Sequence, residues 1–332
     1  LIHQALDFIL EPAKQAARIG YMMDDAFGRS RYCYTGLAGY ISDLPEAQLV
    51  ACAGGMSSPM SRANYLDLGD PYPHPPRTRE FTLEEIRKVN RTGHDPWELD
   101  AYIAKSKAHK LNGIHKPFWR NWSTPILADP ANFLNPDPLH HWHNGFYSHD
   151  LKWCTFALRK DEIDFRYMVL HPHTGFHHFS SGVSRLKQCT MRTHRDMQRY
   201  IVAVIAGAVD SDFLIAIRAL CDVRYRAHAL VLDDEDLGAI EDSLDEFHRH
   251  RHGITDAEAR RGKRSAIGHW RIPKLETLQN IPRCVRSSGV CIQFSTERTE
   301  HEHIPTVKRP SRKTNNQNYP EQMCRQLDRV DK

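Results

Sequence analysis

The chain has 332 residues, 45 of them Lys or Arg against 41 Asp or Glu, and its 40% hydrophobic and 26% charged content is that of a packed globular protein rather than a disordered or collagen-like one. No run approaches the roughly 18 consecutive apolar residues of a bilayer span, and Leu1–Leu10 lacks the basic start and long apolar stretch of a signal peptide, so a membrane is not an expected partner. Eight cysteines without a CxxC pair read as reduced thiols of an intracellular compartment and argue against a cysteine-built zinc cluster.

Residues 1–20 read as helix, with Leu6, Ile9, Ala13 and Ala17 at helical spacing. Residues 31–43 mix aromatic and β-branched side chains, compatible with a strand or a short buried helix, and Leu44-Pro45 interrupts them. Residues 53–80 read as loop, since Pro71, Pro73, Pro75 and Pro76 forbid regular helix. Helix resumes over 82–113, opened by Thr82 with Glu85 three positions on, a capping-box pattern. Pro117, Pro125, Pro130, Pro136 and Pro138 mark 114–138 as loop, and a helical pattern returns over 139–160. Residues 166–182 are irregular. The longest helical signal is 193–248, where Tyr200, Val204 and Ala208 form one stripe, Asp210-Ser211-Asp212 cap a second helix, and Leu237, Ile240, Leu244 and Phe247 repeat in a third. The expected architecture is an α/β core interrupted by a large helical block, mainly α overall.

Four segments carry candidate chemistry. Asp43 ends an apolar segment just before a break, a place where α/β nucleases set carboxylate ligands for hard divalent ions; the competing reading is a turn or cap residue. In Asp137-Pro138-Leu139-His140-His141-Trp142-His143, His140 and His143 stand one turn apart, a pattern for a transition metal or for a capped, polar helix start. His171–His178 and His248–His252 read as an exposed loop and a helix end. In Thr296–His303, Glu297 and Glu300 share a helical face, and either acid is a candidate to complete a metal site with Asp43; the alternative is a surface helix of mixed charge.

Arg249, Arg251, Arg260, Arg261, Lys263, Arg264 and Arg271 form one basic run, and Lys308, Arg309, Arg312 and Lys313 another; both suit phosphate contacts or a solvated surface. No phosphate-binding GxxxxGK[ST] run, no GxGxxG and no GxSxG occurs, which argues against nucleotide-dependent and serine-hydrolase chemistry.

The runs Gly20–Asp25, Arg31–Thr35, Ile41-Ser42-Asp43-Leu44-Pro45-Glu46-Ala47, Leu111–Arg120, Asp137–His143, Pro172–Phe176, His194–Tyr200, Ile272–Glu276 and Asn315–Tyr319 resemble, in order along the chain, the Plavaka transposases, a branch of the Kyakuja–Dileera–Zisupton group related to CACTA elements. The resemblance implies a partial ribonuclease-H-like core over 1–80, a helical insertion over 81–288, and a return to the core with a C-terminal segment over 289–332. It implies an Asp-Asp-Glu triad using Mg²⁺ or Mn²⁺, in which Asp43 is the second Asp and Glu300, with Glu297 as competitor, the final Glu. Asp137 and His140 match the group's C/D-x-x-H motif. Ser42 and Leu44 depart from the family run around the second Asp. The first Asp is expected upstream of Leu1; the chain begins without Met, so the sequence reads as an N-terminally truncated segment.

The implied function is metal-dependent DNA cleavage and strand transfer in the nucleus, with DNA as partner and self-association in a transposition complex. The alternatives are a non-catalytic DNA-binding remnant of a decayed element and an unrelated His-rich metal-binding protein. Asp43 and Glu300 are expected to approach each other on folding.

Overall fold

The structure, a computed structural model, describes residues 1–124, 127–187 and 189–330, so Pro125 of the proline-marked loop lies outside the described residues. Two units are distinguished, Leu1–Phe294 and Ser295–Lys332.

The first unit opens with α1 (Ile2–Ile9) and α2 (Glu11–Ile19), which restarts at Pro12, a residue suited to the first helical turn. This break dissolves the continuous stripe expected over 1–20: Ala17 is buried, while Ile9 is 65% exposed. A hairpin follows, β1 (Tyr21–Asp24) paired antiparallel with β2 (Ser30–Cys33), turning where Asp25 accepts the Phe27 and Arg29 N–H groups. It is the one sheet among the described residues. The chain is therefore mainly helical, as expected, with only this hairpin in place of a wider α/β sheet.

The Leu44-Pro45 interruption is a helix start, since Asp43 caps α3 (Leu44–Val50). Next come α4 (Arg79–Asn90) and α5 (Leu99–Ala108), separated by a turn with Gly93 at φ 76, a conformation that favours glycine. The expected Thr82 cap is displaced: Thr78 accepts the Phe81 N–H, and Asp129, 50 residues away, accepts the Arg79 N–H. Thr82 itself is fully buried.

The loop over 114–138 contains a tight helical turn at Phe118–Asn121 and a short helix, α6 (Pro130–Phe133), and leads into two wide turns, Pro138–His143 and Phe146–Asp150, that open the expected helix before α7 (Leu151–Leu158). Then follow α8 (Lys160–Met168), α9 (Met191–Ile205), α10 (Ser211–Ala227), α11 (Asp234–His250) and α12 (His252–Asp256). The Asp210 cap forms as expected, and Asp233 with Asp236 makes a capping box on α11. The pair α10 and α11 is the spine of a core containing Trp142, Phe146, Ile201, Phe213, Ile217, Leu220, Ile240 and Phe247. Each of these fully buried large side chains contributes about 1.5–3 kcal/mol by leaving water.

A second core, built before residue 135, holds Val50, Met60, Ile86, Tyr102, Phe118, Trp119, Phe133 and Leu134. The chain returns to it late. Of α13 (Pro273–Gln279) and α14 (Ile281–Ser288), the first supplies Glu276, which accepts from the Ser61 hydroxyl, and the second supplies Cys284, which joins the core. Residues 135–141 thus form the joint between two cores. The second unit is described by α15 (Glu297–His303), α16 (Arg309–Arg312) and α17 (Tyr319–Val330), with a wide turn at Ile304–Lys308. Among the described residues, no helix is long and apolar enough to cross a membrane.

Candidate functional site

The joint is where two sequence-predicted segments meet. The strand-like run before Asp43 lies parallel to the run before Asp137: the Leu37 N–H donates to the Leu127 carbonyl (2.7 Å), and the Tyr40 N–H to that of Phe133 (2.8 Å). Asp43 accepts the Glu46 N–H at 2.9 Å through one oxygen, the other oxygen having no hydrogen-bond donor among the described residues. Asp43 is close enough to act electrostatically on His141.

Asp137 is fully buried and fully engaged. One oxygen accepts the Leu139 N–H (3.1 Å), and the other accepts both the His140 N–H (3.2 Å) and the His140 Nδ1–H (2.6 Å). Its own N–H donates to His141 Nδ1 at 2.9 Å. That bond requires His141 Nδ1 to be unprotonated, which fixes a neutral imidazole with its proton on Nε2. Burial agrees, pushing the His141 pKa down to about 4. The Asp-x-x-His motif is thus a rigid polar turn that stitches the first turn of a wide helix, a geometry common at functional sites.

His143 takes a different direction. Its Nε2 lies 2.8 Å from His228 Nε2 and the two rings stack at 4.9 Å, so one nitrogen donates and the other accepts. His140 and His143 therefore have separate partners rather than one shared ion. Behind His141 lies a small cavity lined by His149, Asp150, Arg224 and Lys274. Asp150 and Arg224 form a buried ion pair, 1% and 2% exposed. Lys274 is pulled down to about 8, first by burial and then by Arg224, with Asp137 opposing.

Divalent ions such as Mg²⁺ need several oxygen ligands. Here Asp43 offers one oxygen, and Asp137 offers none that is not already accepting. Among the described residues, no group of three or more His, Cys, Asp or Glu is arranged to hold an ion. Glu300 and its competitor Glu297 lie in the second unit, exposed and one turn apart in the first turns of α15, where the Glu300 N–H bonds the Thr296 carbonyl at 2.8 Å.

The basic run over 249–271 divides in two. Arg260 is only 7% exposed, donates to the His269 carbonyl at 2.6 Å and packs on Trp270, where Arg251 also packs. It anchors a hairpin closed by the Gly262 N–H to the Ser265 carbonyl (2.9 Å), with Arg261 at its base and Lys263 and Arg264 exposed at its tip. In the second unit, Lys308 and Arg309 are exposed. The other histidine runs have local partners: His177 donates its backbone N–H to Asp196, and His250 and His252 both face Asp212.

Sequence reading missed His228, Lys274 and the Asp150–Arg224 pair as members of this neighbourhood. Arg224 left a signal, since it falls on the stripe Ile217, Leu220, Cys221, where a charge on an apolar face marks a buried partner. Lys274 falls within the run Ile272–Glu276 that carries the resemblance, and His228 left none.

Residues 1–154, which contain Asp43, Asp137, His140 and His143, match the Plavaka transposase family model. No curated protein and no solved structure matches the chain.

Acid should loosen this joint. His141, His143 and His194 are held neutral, with pKa values of about 4, 3 and 4, each chiefly by burial. Unfolded, each would titrate near 6.5, so between those values the unfolded chain binds more protons and stability falls as pH falls. Each such histidine costs up to about 1.4 kcal/mol per pH unit below roughly 6. Denaturant midpoints measured from pH 7 to 5 should fall steeply. His194→Phe, which keeps the stacking on Tyr147, should flatten the slope. A pH-independent midpoint contradicts this account.

Proposed function

We propose that this chain is part of a metal-dependent DNA strand-transfer enzyme of the Asp-Asp-Glu type with a ribonuclease-H-like core. The observation that carries the reading is the family match over 1–154, which contains both Asp43 and the Asp137-x-x-His140 motif; the backbone pairing of 37–40 with 127–133 supports it by joining the segments that lead to the two. In this reading Asp43 and Glu300, or Glu297, supply carboxylates to Mg²⁺ or Mn²⁺, and Asp137 with His140 holds the joint rigid. The division into 1–80, 81–288 and 289–332 and self-association on DNA belong to the same reading.

The ion's chemistry would be to activate the attacking oxygen and stabilise the leaving one. The chain's own contribution is to orient Asp43 by its cap and to hold DNA. Arg261, Lys263 and Arg264 on the hairpin and Lys308 and Arg309 in the second unit are the phosphate contacts, with Arg260 positioning the hairpin. Full-length enzyme incubated with supercoiled plasmid and Mn²⁺ should nick it, and a chelator should stop the nicking. Binding without nicking would defeat the cleavage reading.

A second reading has its own support: Asp43 has a structural task as a helix cap, which it performs with or without chemistry. A DNA-binding remnant without cleavage would keep that cap. Both readings expect DNA affinity to fall with salt, and Lys263→Gln with Arg264→Gln should lower the slope of log affinity against log salt by about two. An unchanged slope removes the hairpin from the interface.

A further inference from the structure

A groove of about 550 Å³ lies in the first unit, lined by α7, the start of α8 and the segment 183–186. Its lining includes three cations, Lys152, Arg159 and Lys160, and no acid. The nearby Asp164 carboxylate instead accepts the Val183 and Ser184 N–H groups and the Ser184 hydroxyl, so its charge closes the groove's wall. Leu151, Val183 and Leu186 are its apolar part.

Phe156, also in the lining, is 45% exposed, and the Arg261 guanidinium sits 4.7 Å from its ring centroid. The groove is therefore continuous with the basic hairpin. Arg159, between α7 and α8, adopts φ 67 and ψ 154, a region almost reserved for glycine, and so places a cation at the groove at a cost in backbone strain.

We propose that this groove binds a nucleotide of single-stranded DNA, with the base against Phe156 and the backbone phosphates among Lys152, Arg159 and Lys160. The volume suits a ligand of that size, the charge is complementary to phosphate, and an exposed aromatic beside cations is the usual platform for an unpaired base. A duplex keeps its bases stacked and offers only phosphate, so Phe156 distinguishes the two forms of DNA. This inference rests on the reading of the chain as a DNA-handling protein.

The test is fluorescence anisotropy with a labelled oligothymidylate and, separately, a labelled duplex. Phe156→Ala should weaken single-strand binding roughly 5- to 100-fold, far more than it changes duplex binding, which Phe156 reaches only through its packing on Arg261, and Phe156→Trp should restore it. Lys152→Gln with Lys160→Gln should lower the single-strand salt slope by about one to two. Single-strand binding unaltered in all these variants, with duplex binding intact, overturns the groove and leaves the DNA-handling reading standing. If the wild-type protein binds neither form, both fall together.

Discussion

Asp43→Asn in the full-length enzyme is expected to reduce DNA strand cleavage by about a thousandfold or more while thermal stability and DNA affinity stay close to those of the parent. The magnitude follows from the role proposed for the carboxylate. Charge stabilisation by a bound ion is worth several kcal/mol of barrier, and each 1.36 kcal/mol is a factor of ten in rate. The choice of Asn follows from the structure. Asp43 caps α3 by accepting the Glu46 N–H, and Asn caps as well as Asp does, so the helix start survives while the charge is lost. Asp43→Ala would mix the two effects, since loss of the cap alone costs about 0.5–2 kcal/mol. Glu300→Gln should behave as Asp43→Asn does if it is the final acid, and Glu297→Gln should then be mild. Cleavage rates for the three variants, measured beside their melting temperatures, separate ligand from cap. If Asp43→Asn cleaves normally, Asp43 is a cap and nothing more.

The parts of this fold that could be read from sequence are those whose cause is local. Asp210 announces its helix because the cap and the N–H groups it satisfies lie within three residues of each other. The buried stripe of α11 is periodic, so Leu237, Ile240, Leu244 and Phe247 are found inside as their spacing requires, whereas of Tyr200, Val204 and Ala208 only Val204 is buried and Ala208 lies past the end of α9, exposed. Asp137 followed the same logic, and its capping role is what a polar helix start implies.

The failures have long-range causes. Thr82 has the right local pattern, but Asp129 satisfies the first N–H of α4 from far along the chain, so the helix begins earlier. The run 31–43 is ambiguous by composition, and it resolves into β2 and an extended segment that pairs with 127–133. The basic run over 249–271 reads as one feature, yet Trp270 draws Arg251 and Arg260 onto its ring, while Arg249 and the hairpin's Arg261, Lys263 and Arg264 stay exposed. In the candidate site, Asp43 and Asp137 were legible as residues but the pairing of the segments that lead to them was not, because it is made by a parallel bridge between residues some 90 positions apart, Tyr40 with Leu134.

The same joint sets the second large expectation, Arg224→Met. Arg224 and Asp150 are paired with both side chains almost wholly out of water. Removing one member of such a pair typically costs about 3–5 kcal/mol, because the other charge stays buried and uncompensated. The placement argues for the upper part of that range: Asp150 Oδ1 and Arg224 Nε have no protein partner of their own, so the single contact between the two groups is what balances them. Burial already raises the Asp150 pKa against the pull of Arg224, and without Arg224 it should rise further. A raised folded-state pKa means that the folded protein binds the extra proton first, so the penalty in Arg224→Met should shrink as pH falls towards 5, once it is compared with the parent protein to remove the histidine effect. Pairing Arg224→Met with Asp150→Leu should recover most of the loss, since two apolar side chains leave no charge behind. Urea unfolding of the parent, both single variants and the double variant measures the coupling directly. Additive losses in the double variant would show that the two groups are stabilised by their surroundings rather than by each other.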